Sequence, residues 1–408
     1  MPAATVLPED LRMTDLDAFR AEVEAWFRAN RPPEPDFLLP ESFMEVGNDA
    51  QLEYLRAWQR RIYDAGYLGM AWPQAYGGGG RPQACQDVVN EVMTQLKVPF
   101  VPNTIGLNWA GPLILAIGTE EQKQRYIWGI LSADDIWCQG FSEPDQGSDL
   151  ANCQTRAVRD GDAYVIDGSK IWTSLGSYAK YMILLARTDP GKRGAAGLSY
   201  FLVPMQSPGI EVRPIRKLTG EFGFTQTFFR GARIPASCLM GQEGEGWKLA
   251  MLTLTFERGA SGGQAGGISW VAPGVSDVVE LARASRRDGR PALEDPFVRD
   301  QLVRFLIEDQ GDRLTNARAG IPALCSERPA AIPLSSKLRR TEHRRRLMQF
   351  ALSLQGANAA RWVGDADVVD GGRWQRAYFN AFSATIGGGT SQIQANIVGE
   401  RVLGLPKD

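Results

Sequence analysis

The sequence predicts an α+β chain in three blocks: an N-terminal α-helical domain over 1–135, a middle β domain of barrel or sandwich type over 136–243, and a C-terminal helical bundle over 244–408. Three observations lead there. Apolar residues recur at helical spacing up to about residue 132. Short apolar runs bounded by turn residues replace them as far as Gln242. Helical spacing then returns after Gly246. A chain of 408 residues is long enough to bury a sizeable core and to divide it.

In the first block Leu16, Phe19, Val23, Trp26 and Phe27 share one helical face. Leu52, Leu55, Trp58 and Ile62 share another, and Val88, Val89, Val92, Met93 and Leu96 a third. The proline-rich stretch 31–40 separates the first helix from the second. Tyr-Gly-Gly-Gly-Gly-Arg-Pro at 76–82 reads as a plain loop, because a phosphate cradle would need a strand before it and Gly-Lys-Ser/Thr after it. Thr119 and Gln122 have capping-box spacing and open a helix running to about Gly129.

In the second block the apolar runs 181–186, 198–203 and 225–229 read as strands. Asp160-Gly161 separates 155–158 from 163–166, a hairpin signal that suits a type I′ turn. Pro235 and the glycine-rich stretch 241–246 close the block. In the third, Leu249, Leu252, Phe256 and Ala260 space helically; Gly262, Gly263, Gly266 and Gly267 loosen that helix, and Pro273-Gly274 breaks it. Further helices are expected over 276–286, 296–317, 332–363 and near 390–402. The basic run 337–346 lies on one of them, as a solvated or subunit-contact face or as a phosphate contact to a nucleotide cofactor.

Composition narrows the function. Lys+Arg total 45 against Asp+Glu 47, so no charge excess points to nucleic acid or a membrane surface. No stretch approaches the ~20 apolar residues that cross a bilayer. Cys85, Cys138, Cys153, Cys238 and Cys325 are scattered without CxxC spacing, which predicts a reducing, cytoplasmic setting with neither a disulfide frame nor a zinc site. His343 is the single histidine, so a multi-histidine metal site is excluded and a histidine-based triad is disfavoured; no metal is expected. The N-terminus carries Glu9, Asp10 and Asp15 and lacks the apolar run of a signal peptide.

Two segments carry the chemistry. Phe141-Ser142-Glu143-Pro144-Asp145-Gln146-Gly147-Ser148-Asp149 is a loop dense in hydroxyls, acids and turn formers, and Lys170-Ile171-Trp172-Thr173-Ser174 ends a strand in two hydroxyls. With the hairpin between them, a tryptophan returns beside the loop, an arrangement suited to a flat cofactor with polar edges.

These segments resemble the signature of the acyl-CoA dehydrogenase family, flavoenzymes that desaturate acyl-CoA thioesters. Gly388-Gly389-Thr390-Ser391-Gln392-Ile393-Gln394, Glu400-Arg401-Val402-Leu403-Gly404-Leu405-Pro406, Trp72-Pro73 with Tyr76-Gly77-Gly78, and Gly246-Trp247 carry the same resemblance, which spans essentially the whole chain. It implies the three-block fold, a role in fatty-acid or lipid metabolism, FAD as cofactor, an acyl-CoA substrate, and an electron-transfer flavoprotein as acceptor. It also implies a homodimer or homotetramer, or a hetero-oligomer with a related subunit. Phe141, Ser142, Ser148, Trp172, Ser174, Thr390 and Gln392 match the cofactor contacts; Ser148, Thr255, Arg258 and Gly389 match substrate contacts. Arg290, with Gln301 eleven residues on, resembles the pair that reaches the FAD of a neighbouring subunit, although Pro291-Ala292-Leu293 departs from the usual residues and Arg290 also reads as an exposed loop charge.

The reaction needs a base for the α proton, a hydride acceptor facing Cβ, and hydrogen bonds to the thioester carbonyl. Many family members place the base, a Glu, where this chain has Gly388. A subset similar to isovaleryl-CoA dehydrogenase places it on the first helix after the β domain, directly before an Arg, and Glu257-Arg258 matches that dipeptide. Glu257 is thus the base that the resemblance implies; the bland reading is a surface Glu paired with Arg258, and Glu243 and Glu245 sit in an exposed-looking turn. Asp145-Gln146 replaces the family's Gly-Ala; Asp tolerates left-handed backbone, and its carboxylate would alter affinity for an anionic ligand. Gly388 also motivates a second reading, a non-catalytic partner subunit. A third keeps the flavin and changes the chemistry to enoyl-CoA reduction or elimination. The glycines after Glu257 suggest either room for a branched or cyclic acyl group or close helix packing.

Overall fold

Helix α1 (Met13–Asn30) opens the computed structural model, which describes residues 13–257, 265–268, 271–319, 321–325 and 331–406. The chain forms two units, Met1–Val271 and Ala272–Asp408.

In the first unit α1 is followed by α2 (Asp49–Asp64), α3 (Gln83–Gln95), α4 (Gly111–Ile117) and α5 (Glu120–Ser132). The apolar faces read from the sequence turn inward: Val23, Phe27, Leu55, Ile62, Val89 and Val92 are buried in one core. The capping box at Thr119 is present. Its hydroxyl accepts from the Gln122 N–H at 3.2 Å, and the Gln122 side chain accepts from the Thr119 N–H at 3.1 Å. A π-helical stretch, Gly106–Ala110, leads into α4. The loop at 76–82 wraps Trp72 closely: a Cβ on Gly78 would lie 2.3 Å from the Trp72 carbonyl oxygen, so this glycine serves backbone approach.

The sheet comprises β1 (Trp137–Gly140), β2 (Arg156–Asp160), β3 (Ala163–Ser174), β4 (Tyr181–Arg187), β5 (Leu198–Pro204), β6 (Ile210–Ile215), β7 (Phe224–Pro235) and β8 (Leu239–Met240). Its order is β6-β7-β3-β2-β4-β5-β8, with β1 parallel to β4. Strand β4 is buried on both faces. Tyr181, Ile183 and Leu185 join the core of the N-terminal helices, whereas Met182, Leu184 and Ala186 join Ile166, Phe201 and Phe229 in a second core. Strand β6 was not anticipated: it is a half-exposed edge strand carrying Pro214, which has no N–H for a ladder bond and counts against a strand in the sequence.

The expected hairpin joins β2 to β3, but its turn is Gly161-Asp162 rather than Asp160-Gly161. Asp160 remains in the strand, where its carboxylate pairs with Arg233 of β7. Only Gly161 has positive φ, 61°, so the type I′ geometry, which needs two such residues, is not adopted.

Helix α6 (Gly246–Glu257) leaves the sheet and packs back onto β5 and the π-helical stretch. Gly246 permits this docking, since a Cβ there would lie 2.5 Å from the Ser199 backbone nitrogen.

The second unit contains α7 (Val275–Ala284), a short hairpin of β9 (Arg286–Arg287) and β10 (Arg290–Pro291), α8 (Pro296–Ala319), α9 (Ala331–Ser353), α10 (Arg373–Ile386) and α11 (Ser391–Ile397). Val278, Leu302, Met348, Trp374 and Ala377 form its core. The helix expected over 332–363 ends at Ser353, and Gly356 follows with φ 55°. Helix α10 was not anticipated; it buries Trp374, Ala377 and Ala381 against the other helices. The basic run is engaged within this unit: Arg339 bonds Asp312 at 2.8 Å, and Arg346 and His343 bond Glu308 at 2.6 and 2.9 Å. Among the described residues no helix is long and apolar enough to cross a membrane.

Candidate active site

After β1 the chain turns through Phe141–Asp149. Phe141 is buried, its ring edge-on to Tyr200 at 5.9 Å. Reciprocal backbone bonds between Glu143 and Gln146, 3.0 and 3.2 Å, close a tight turn over Pro144-Asp145. Neither Asp145 nor Gln146 has positive φ, so the left-handed backbone considered for Asp145 is not required; its side chain is exposed.

The Glu143 side chain turns inward. Its carboxylate accepts from the N–H groups of Gln154 at 2.6 Å and Thr155 at 2.8 Å, and from the Lys170 ammonium at 2.9 Å. The same ammonium donates to the Phe141 carbonyl at 2.9 Å. Burial pushes the Glu143 carboxyl up, but Lys170 and the two N–H donors together hold it below the usual carboxylate range. Beside this pair, the Ile171 N–H donates to the Ser142 carbonyl at 2.9 Å.

Trp172 comes next, in a register shift between Lys170 and Thr173 where β3 meets β7. Its φ is 62°, uncommon for a bulky residue, and its side chain is 57 % exposed, edge-on to Phe224 at 6.0 Å. The Thr173 hydroxyl is buried without a partner. Ser174 is buried opposite Phe224, Ser142 is partly buried and Ser148 is exposed at the far side of the loop. Among the described residues, no hydrogen bond engages the hydroxyls of these three serines. The result is an open aromatic face beside uncommitted hydroxyls.

Glu257 is the last described residue of α6 and is partly buried. Thr253, one turn earlier on the same face, bonds Tyr200 at 3.0 Å, and Tyr200 packs on Phe141. A short chain of buried contacts thus links the hydroxyl-rich loop to the helix that carries Glu257. The Thr255 hydroxyl donates back to Met251 O at 2.9 Å. Arg258 lies outside the described residues. The other two carboxylates are engaged elsewhere: Glu243 with the Tyr164 hydroxyl, and Glu245 with Lys248 at 3.2 Å and the Gln242 N–H at 3.1 Å.

In the second unit Arg290 is exposed on β10, and Gln301 is partly buried on α8 with its amide 3.4 Å from Asp300. Gly388 and Gly389 have φ of 64° and 90°. Thr390 caps α11, accepting from the Ile393 N–H at 3.2 Å, and Gln392 is exposed. The loop is held from inside by Gln394, which donates to Gly388 O at 2.9 Å, and by Lys337, which donates to Gly389 O.

Family models of the acyl-CoA dehydrogenase N-terminal, middle and C-terminal domains match residues 15–134, 138–230 and 244–403 in order. The chain belongs to the acyl-CoA dehydrogenase family. Acyl-CoA dehydrogenase IpdE1 of Mycobacterium tuberculosis (strain ATCC 25618 / H37Rv) is 37% identical over 397 residues, covering 97% of this chain and 99% of the relative. The solved Tcur3481-Tcur3483 steroid ACAD is 32% identical with a TM-score of 0.77, covering 98% of this chain and 99% of that one. The ChsE4-ChsE5 complex from Mycobacterium tuberculosis is 27% identical with a TM-score of 0.77, covering 98% and 100%.

This acyl-CoA dehydrogenase family member is by kinship an oxidoreductase of the flavoprotein class. The open face of Trp172 and the orphaned Thr173 hydroxyl fit a planar ring with polar edges. Sequence reasoning missed Lys170, Glu143, Tyr200, Lys337 and Gln394 as supporting residues. Lys170 and Glu143 were inside the quoted motifs, and their signal was a charged residue at an inward strand position paired with an acid in the facing loop.

Proposed function

We propose that the protein is an FAD-dependent acyl-CoA dehydrogenase that removes hydrogen from Cα and Cβ of an acyl-CoA thioester, with Glu257 as the base. The observation that carries this reading is Trp172, held exposed in a left-handed bulge beside free hydroxyls. FAD, when bound, supplies the acceptor for the Cβ hydride. Trp172 presents its face to the ring, and Ser142 and Ser174 offer hydroxyls to its polar edge. Phe141 closes the inner wall against Tyr200. Glu257, one turn beyond Thr253, takes the α proton on a carboxylate carried by an apolar helix. Ser148, Thr255, Arg258 and Gly389 are assigned to substrate, and Arg290, Gln301, Thr390 and Gln392 to the remaining cofactor contacts. An electron-transfer flavoprotein in the cytoplasm takes the electrons onward. Kinship with a steroid ACAD favours a polycyclic acyl group over a straight chain.

A second reading, that the chain works with a related partner subunit, is favoured by Gly388, which has no side chain to act as base, and by the two-component ChsE4-ChsE5 neighbour.

Anaerobic titration of the purified chain with a panel of acyl-CoAs, following flavin absorbance beside Glu257→Gln, tests both readings. Bleaching in the wild type and none in the variant is expected. Bleaching in both moves the base elsewhere. A colourless chain that acquires flavin only on co-expression with a second subunit selects the partner reading.

A further inference from the structure

We propose that Lys170 and Glu143 act as a positioning pair for the flavin, holding the Ser142 loop and Trp172 at one fixed separation. The inference rests on the flavin reading above. The pair is closed off from solvent, Lys170 at 0 % and Glu143 at 6 % side-chain exposure. It joins three segments at one point. Lys170 holds the Phe141 carbonyl and the Glu143 carboxylate; that carboxylate holds the N–H groups of 154 and 155; and the neighbouring Ile171 N–H holds the Ser142 carbonyl.

A buried ion pair is a poor device for stability alone, because apolar side chains of similar size fill such a space at less desolvation cost. What this pair does that apolar groups do not is bind directionally in four places. Immediately outside the junction lie Ser142, whose hydroxyl is uncommitted, and Trp172, whose φ of 62° persists only where its surroundings over-determine it. Without the junction, residue 172 relaxes toward ordinary extended backbone. Because side chains alternate faces along a strand, the indole then leaves the face it now presents. The pair therefore sets both the height of the loop and the face of the tryptophan.

The test uses the full chain with the double variant E143Q/K170M, which removes both charges together, and with E143D, which keeps both charges and retracts the carboxylate by one methylene. Wild type is titrated with FAD first, alone and with a co-expressed second subunit; failure to bind in both refutes the flavin reading, and this proposal with it. With binding established, the expected result for E143Q/K170M is a retained unfolding transition and faster exchange of the Ile171 amide, the donor to Ser142. FAD is bound about tenfold or more weakly, and the visible circular dichroism of the bound flavin is altered. E143D shifts the same readouts in the same direction by less, and carries the test if the double variant does not fold. Unchanged exchange at 171 overturns the proposal. So does faster exchange with wild-type FAD affinity and dichroism, which would leave the pair purely structural.

Discussion

Tyr200 and Thr253 share a buried hydrogen bond of 3.0 Å that ties strand β5 to helix α6. The direction of the bond is settled by its surroundings. The Thr253 hydroxyl donates to Leu249 O at 2.8 Å, so its oxygen is left as acceptor and Tyr200 is the donor. Burial pushes the Tyr200 phenol up, which keeps that proton in place. Thr253→Val orphans a buried phenol and should cost about 1–3 kcal/mol, whereas Tyr200→Phe leaves Thr253 still donating and should cost about 0.5–1.5 kcal/mol. Urea unfolding of the two variants gives the order, and a larger loss for Tyr200→Phe would refute it.

Trp172 and Trp137 should respond differently to truncation. Trp137 is 0 % exposed in the core, so Trp137→Ala should cost about 3–5 kcal/mol. Trp172 is mostly exposed and strained, and Trp172→Gly releases about 1–2 kcal/mol of backbone cost, so stability should change little while flavin affinity falls. Thermal unfolding beside FAD titration separates the two effects.

Restoring a Glu at residue 388 should not restore a base. Gly388 has φ 64°, and Gly388→Glu should destabilise by about 1–2 kcal/mol. In a Glu257→Gln background it should leave the flavin unbleached by acyl-CoA. Recovered bleaching would mean that position 388 reaches the reacting carbon.

The link between α8 and α9 should weaken in acid. Hydrogen bonds from Arg346 and His343 hold the Glu308 carboxyl down to about 2. A carboxyl depressed below its unfolded value of about 4.3 contributes stability fully above that pH and loses it as pH falls toward the folded value. The difference in melting temperature between wild type and Glu308→Gln should therefore shrink as pH falls below about 4 and be nearly lost near pH 2. Glu308 is 41 % exposed, so the link should contribute little, under about 1 kcal/mol, and the difference should shrink with added salt.

Much of the architecture was legible because it is written locally. The capping box at Thr119, the apolar faces of α1 to α3 and the buried run of β4 are each decided by side chains a few residues apart. Strand β6 and helix α10 were not legible in the same way, since an edge strand with Pro214 and a helix behind Gly371-Gly372 hold their shape through what they pack against.

The amino-acid order alone determined the family motifs, the absence of a side chain at Gly388 and the presence of Glu257 within an apolar helical segment. Only the tertiary structure decided that Lys170 meets Glu143 across 27 positions, that Tyr200 meets Thr253 across 53, and that Trp172 turns outward in a left-handed bulge. The reason is physical. Helix periodicity and turn chemistry act within a few residues, but a buried charge finds its partner, and a strand its bulge, only when the register against the neighbouring strand is set.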